Sequence, residues 1–379
     1  MHGYGAGVKQ NLYLEGFALG FGRAPQTSVS RLNKSIEKVR KSVGHGLYRM
    51  FEKVLPAERI QLREGERERL YGSRVTFWGM LSQTFRSSSL REAVRELQAI
   101  DRLLGRPARS ENTGPYCKAR QRLDIDTVED IHHELYQQLE RSVPAGKWRL
   151  LSVDATGIRL DDTDANRKAY GYAPGQKQGC GFPVMQLVTL MDLDCGAVVD
   201  AVDSPNRDGE SPLFDAGLMQ YIRQGDILVA DRAYCGYYNL TRIEQAGAFA
   251  VMRLHGTRDT KPLKDCDDTV VTWKRPPWNR APTHLFPEQW LEVPREMKVR
   301  LVRIRIERNG FRAKHILLAT TLFDLPKEEL AALYRRRWEI ETGFADIKTT
   351  LGMDHMRVKP PDMAIKQVYL FLIANNLIR

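Results

Sequence analysis

The hydrophobic period of this chain changes at Trp148. Ahead of it apolar residues recur at helical spacing. Behind it "WRLLSVDATGIRL" alternates residue by residue between Gly146 and Gly157, the pattern of a half-buried strand. A helix repeats every 3.6 residues and a strand every two, so one element cannot serve both patterns. The chain must therefore hold a helical part followed by a part built on a sheet. At 379 residues it is long enough to bury a sizeable core and to divide into two or three domains.

Residues 1–45 are rich in glycine and serine and read as a poorly structured extension. Residues 46–146 read as a helical module. "SSLREAVRELQAI" offers Ser89 as N-cap with Glu92 three residues on, a capping box, and "DTVEDIHHELYQQLERSV" repeats the device with Asp126 and Glu129. Lysine and arginine exceed aspartate and glutamate by 11, which points to a polyanionic partner. The excess is N-terminal: residues 1–150 carry 26 basic and 17 acidic residues, leaving +2 for the remainder. That suits a leading segment that holds a phosphate backbone.

The five cysteines form no C-x-x-C pair, so they support neither a zinc site nor a disulfide framework, and a reducing cytoplasm fits them. No run of eighteen apolar residues marks a membrane span, and the glycine-rich start lacks a charged leader. The expected setting is the cytoplasm.

Beyond Trp148, "FPVMQLVTLMDL" and "GAVVDAVDS" read as two further strands, and "SPLFDAGLMQYI" as a helix with Ser211 as N-cap and Pro212 at its first position. "DILVADRAY" is a short buried strand ending at Asp231, and "YNLTRIEQAGAFAVMRL" a helix and a strand. Strands followed by strand, helix and strand imply a mixed α/β sheet. Residues 255–315 interrupt it with "RPPWNRAP", Trp273, Trp278, Trp290 and a hairpin about Asn309–Gly310, and read as a β-rich insertion. The body resumes with a helix starting near Pro326.

That helix carries "YRRRWEIETGFADIK". At about 100° per residue, Leu333, Ile340, Phe344, Ile347 and Leu351 make a stripe for burial, and Tyr334, Arg337, Glu341 and Lys348 share an arc beside it. An exposed pair of Arg337 and Glu341 explains two of these four residues. Asp154 in "LLSVD" and Asp231 in "ILVAD" lie in or at the end of apolar strands, where an unpaired carboxylate costs several kcal/mol, roughly, unless a charge compensates it. A divalent cation is one such partner, and two strand aspartates with a helix glutamate make a hard-cation site of the Mg²⁺ kind. Arg337 can grip a phosphate, Lys348 neutralise another, and Tyr334 donate to a phosphate or pack on a sugar. Asp161, Asp162 and Asp164 read as solvated loop residues, and so do Asp192, Asp194 and Asp203 at strand ends.

Tyr334, Arg337, Glu341 and Lys348 stand at the spacing of the Y-R-E-K signature, and the chain resembles the bacterial DDE transposases of the insertion sequence 4 family. "SVDAT" and "VADRAY" resemble that family's two aspartate motifs, and "TGPYCKARQRL" the stretch ahead of its catalytic domain. The resemblance covers roughly residues 46–379. It implies an RNase H-like core over 147–254 and 316–379, broken by the insertion at 255–315 and preceded by a helical DNA-binding domain. It also implies catalysis by Asp154, Asp231 and Glu341 on two Mg²⁺ ions, with Mn²⁺ as a substitute, and DNA contacts from Tyr334, Arg337 and Lys348. The expected substrate is double-stranded DNA, element ends and target, held by a homodimer. In some members an insertion tryptophan stacks on a flipped base, for which Trp273, Trp278 and Trp290 are candidates. The chain stops inside the apolar run "QVYLFLIANNLIR", where a truncated copy would be expected. A co-opted DNA-binding protein without activity and an RNase H-like nuclease without strand transfer are the alternatives.

Overall fold

The computed structural model describes residues 51, 54, 55, 70–103, 107, 109–142, 148–173, 175, 181–205, 209–305 and 315–379. The extension over 1–45 and the Asn309–Gly310 turn lie outside them. The described residues form two compact units, 227–338 and a larger one whose described residues fall within 51–226 and 339–379.

Among its described residues the larger unit begins with four helices: α1 (Ser73–Arg86), α2 (Leu90–Leu103), α3 (Gly114–Arg122) and α4 (Ile125–Ser142). The Ser89 capping box is in place. The Ser89 amide donates to Glu92 Oε2 at 2.6 Å and the Glu92 amide to Ser89 Oγ at 3.3 Å, satisfying two donors that a helix start leaves open. The second box is not as expected. α4 already starts at Ile125, which puts Asp126 inside the first turn, and the local side-chain bond ahead of it runs from Thr127 Oγ1 to Asp124 at 3.5 Å.

Past Trp148 the chain enters β1 (Leu150–Leu160), crosses α5 (Asp164–Tyr170), and returns in β2 (Val184–Asp192) and β3 (Ala197–Pro205). These strands form an antiparallel meander in which Asp154 faces Thr189, and Thr189 faces Ala201. "SPLFDAGLMQYI" departs from the expected helix. Its N-cap is Gly209, so Ser211 and Pro212 lie within the first turn, and a π turn over Phe214–Leu218 follows. There Gly217 packs against β3 so closely that a Cβ would sit 2.3 Å from Val202 Cγ2.

The second unit starts with β4 (Ile227–Ala230), α6 (Tyr237–Gln245) and β5 (Phe249–Arg253), with β4 and β5 parallel as a strand–helix–strand crossover requires. β4 is apolar and buried at all four positions, as expected of a strand covered on both faces. Then come β6 (Asp268–Lys274), α7 (Pro287–Glu292), β7 (Glu296–Arg305) and β8 (His315–Thr320). β7 pairs with both β6 and β8, and β8 also pairs with β5, so within this unit the strands run β4-β5-β8-β7-β6. α8 (Lys327–Arg336) lies over β4 and β5.

The chain rejoins the larger unit through α9 (Trp338–Ala345), a π turn over Asp346–Thr350, β9 (His355–Met356), which runs parallel to β1, and α10 (Pro361–Leu377). "QVYLFLIANNLIR" is the apolar part of α10. It is hydrophobic around its whole circumference because it is enclosed, packing on α1, α4 and β3. Among the described residues no helix is long and apolar enough to cross a membrane. The expected mixed α/β class, with helices ahead of the strands, is what these elements build.

Candidate active site

Asp154 sits in the middle of β1, half-buried, with Oδ1 accepting the Ala155 amide at 2.9 Å. Side chains alternate along a strand, so Ser152, Asp154 and Thr156 share one face of the meander, and the cross-strand partner Thr189 shares it too. Ser152 and Thr189 are fully buried polar residues.

Asp231 follows β4 directly. Its backbone carbonyl accepts the Tyr234 amide at 3.1 Å, closing the turn that ends the strand. The carboxylate oxygen Oδ1 is buried and accepts no hydrogen bond from the described residues. A buried acceptor without a donor is costly and rare, so this oxygen fits a bound cation.

Tyr334 and Arg337 are in the same unit as Asp231, and Tyr334 interacts with it electrostatically. Tyr334 is 1% exposed. Its phenol is pushed up to about 12, by burial first, with Arg337 acting to lower it and Asp231 to raise it, so it stays a hydrogen-bond donor at neutral pH. Arg337 is 7% exposed. Its guanidinium lies 4.6 Å from the Trp338 ring centre and 5.8 Å from that of Tyr334, and the two rings meet edge to face at 6.3 Å. Ring faces offset part of the cost of taking a guanidinium out of water.

Glu341 and Lys348 belong to the larger unit, with Asp154. Glu341 is exposed in the first turn of α9, where the helix dipole favours a negative charge. Lys348 is half-buried in the π turn. Burial holds its ammonium below the ordinary lysine range, with Asp354 opposing and Arg159 adding to the shift.

The continuous helix expected here is interrupted. α8 ends at Arg336, the Arg337 amide bonds back three residues to Tyr334, and Lys348 lies within the π turn, which is wound more widely than an α-helix. The projection at 100° per residue therefore does not carry from Tyr334 to Lys348. The apolar stripe survives at Ile340, Phe344, Ile347 and Leu351, all buried, whereas Leu333 is half-buried.

Two carboxylates read as loop residues are instead held inside the larger unit. Asp192 ends β2, is 2% exposed, and accepts the Tyr136 hydroxyl at 3.1 Å and the Asp194 amide at 2.9 Å. Asp203 lies in β3 and accepts the Tyr170 hydroxyl at 2.8 Å, and burial raises its carboxyl above the usual range. Asp162 and Asp164 are tied to Arg167 at the surface, as expected of loop residues. Of the insertion tryptophans, Trp290 is core, Trp273 lies under the Arg258 guanidinium at 4.2 Å, and Trp278 is 47% exposed. A further group had no signal in the local pattern: His132, His133 and Asp200 converge from α4 and β3.

Residues 146–377 match the family model described as the transposase DDE domain. The chain is 24% identical over 272 residues to the transposase InsG for insertion sequence element IS4 of Escherichia coli, covering 69% of this chain and 59% of that relative. It is 26% identical over 317 residues to the putative transposase y4zB of Sinorhizobium fredii, covering 78% and 82%. A stretch of 68 residues is 38% identical to the transposase for insertion sequence element IS421 of Escherichia coli.

Proposed function

This chain belongs to the DDE transposase family, of the insertion sequence 4 type, and from that premise we propose that it nicks the ends of a DNA element and joins them to target DNA. Family membership brings an RNase H-like core with it. Asp154, Asp231 and Glu341 are the catalytic carboxylates and the ligands of two Mg²⁺ ions. When bound, such ions supply activation of the attacking hydroxyl and stabilisation of the leaving oxygen.

The observation that carries this reading is Asp231: a buried carboxylate oxygen that accepts no hydrogen bond from the described residues, in the field of a buried, protonated tyrosine, Tyr334. Arg337 offers a preorganised fork to a phosphate, held flat by Trp338, and Tyr334 donates to the same backbone. Lys348 neutralises a further phosphate. The ordered helices over 73–142 and the basic excess ahead of residue 150 serve to hold duplex DNA, and a homodimer brings two ends together. Trp278, the exposed insertion tryptophan, is the one open to stacking on a base.

The test is Asp154→Ala in a cleavage assay on a cognate end with Mg²⁺. Cleavage is lost while end binding is largely retained; cleavage at the parental rate refutes the assignment. Scoring joined products in a target plasmid separates a transposase from a nuclease that only hydrolyses.

A further inference from the structure

α4 carries two adjacent histidines, and they meet β3 on the face of the meander opposite Asp154. The register places Asp154, Thr189 and Ala201 in one row and Val153, Leu190 and Asp200 in the next, so Asp200 points away from the side that Asp154 occupies. One ring nitrogen each of His132 and His133 and one carboxylate oxygen of Asp200 all lie within 4.8 Å of one another. On a tetrahedron with bonds of about 2.1 Å, ligand atoms stand roughly 3.4 Å apart. The His133 Nε2 to Asp200 Oδ2 distance is 3.2 Å, already that spacing.

His132 supplies the second observation. It is fully buried. Its Nε2 lies 3.4 Å from the Asn376 amide nitrogen. Nδ1 is buried without a hydrogen-bond partner among the described residues. With Nε2 engaged by Asn376 and Nδ1 bare, the ring is in the state in which a histidine ligates a metal.

The surroundings are built for a cation. Asp200 is held by the Tyr369 hydroxyl at 3.0 Å and the Ala201 amide at 2.8 Å, so its position is set before anything binds. Asn376 bonds both the amide and the carbonyl of Val198, fixing α10 to β3 behind His132. Glu129, one turn before His133 on α4, adds a half-buried carboxylate to the same neighbourhood. The Tyr221 hydroxyl, 3.3 Å from His133 Nε2, borders a fourth position.

We propose that His132, His133 and Asp200 bind one divalent transition-metal ion of the zinc class, fastening α4 to β3 at a site separate from the catalytic carboxylates. Two imidazoles and one carboxylate favour zinc, cobalt or nickel over Mg²⁺, which takes oxygen ligands. The five cysteines carry no such signal, and the histidines and Asp200 are too far apart in sequence to form a motif.

The experiment uses the full chain stripped with a chelator and titrated with Co²⁺ and then Zn²⁺. One equivalent of Co²⁺ gives the visible absorption of a tetrahedral site, Zn²⁺ displaces it, and Zn²⁺ but not Mg²⁺ raises the unfolding temperature. H133N and D200N, at positions less enclosed than His132, weaken Co²⁺ and Zn²⁺ binding by about 100-fold or more, whereas Asp154→Ala leaves it unchanged. Absence of stoichiometric binding overturns the proposal. So does binding equal to the parent in both H133N and D200N, and so does binding lost in Asp154→Ala, which would place the ion at the catalytic carboxylates. None of these readouts depends on DNA cleavage.

Discussion

Arg149 ties the entrance of β1 to the rest of the larger unit, and replacing its partner Asp226 with alanine tests how much that tie stabilises. Arg149 Nε and Nη2 lie 3.0 and 2.5 Å from the two Asp226 oxygens, a fork-to-fork pair. Nη1 meets the Tyr136 hydroxyl and Glu140, each at 3.0 Å, and Nη2 also donates to the Tyr221 carbonyl at 2.8 Å. The side chains of Arg149 and Asp226 are 12% and 5% exposed, so this pair is not a solvent-screened one. Removing one member of a buried pair costs about 3–5 kcal/mol, because the charge left behind stays desolvated. Glu140 remains to Arg149 after the change, which argues for the low end of that range. Asp226 Oδ2 also accepts the Arg223 amide at 2.7 Å, and losing that turn bond adds about 1 kcal/mol. The expected loss for Asp226→Ala is therefore about 3–4 kcal/mol, read from urea unfolding followed by tryptophan fluorescence. Combining Arg149→Met with Asp226→Leu should recover most of it, since an apolar pair strands no charge. A single-variant loss below about 1 kcal/mol is the behaviour of an exposed ion pair and would refute this reasoning.

Three further outcomes are expected. Gly217→Ala drives a methyl to 2.3 Å from Val202 Cγ2 and should cost about 1–3 kcal/mol by denaturant unfolding; a neutral result would mean that the π turn moves freely off β3. Burial raises the carboxyl of Asp203, so its ionised form is disfavoured in the folded state: that contribution to stability is present at low pH and lost as pH rises through the folded value. Asp203→Asn should therefore be neutral or stabilising at pH 7, with the difference from the parent shrinking toward pH 4, and a loss above about 1 kcal/mol at pH 7 contradicts it. Lys348→Met should weaken binding of all duplexes alike and lower the salt slope of log K by about one; an unchanged slope removes Lys348 from the phosphate contacts.

Much of the architecture was legible because it is locally encoded. β1 to β5 and α6 fall where alternation, apolar runs and turn residues put them, since a period of two or 3.6 is visible within a dozen residues. The Ser89 box was legible for the same reason, as its two bonds span three residues. The Y-R-E-K spacing of Tyr334, Arg337, Glu341 and Lys348 is likewise a property of the chain alone, and so is the basic excess ahead of residue 150. Tertiary packing decided the rest. The interruption at Arg337 and the π turn that holds Lys348 leave no trace in the helical periodicity. Asp192 and Asp203 look like turn residues until Tyr136 and Tyr170 arrive from elsewhere in the chain to satisfy them. His132 and His133 lie on a helix more than sixty residues before Asp200 on its strand, so their convergence exists only once α4 has packed on β3. Local spacing determines which backbone forms and which residue types are present. Which carboxylate is enclosed, and beside which partner, depends on contacts between distant segments, where desolvation makes an unpaired charge costly and so selects its neighbours.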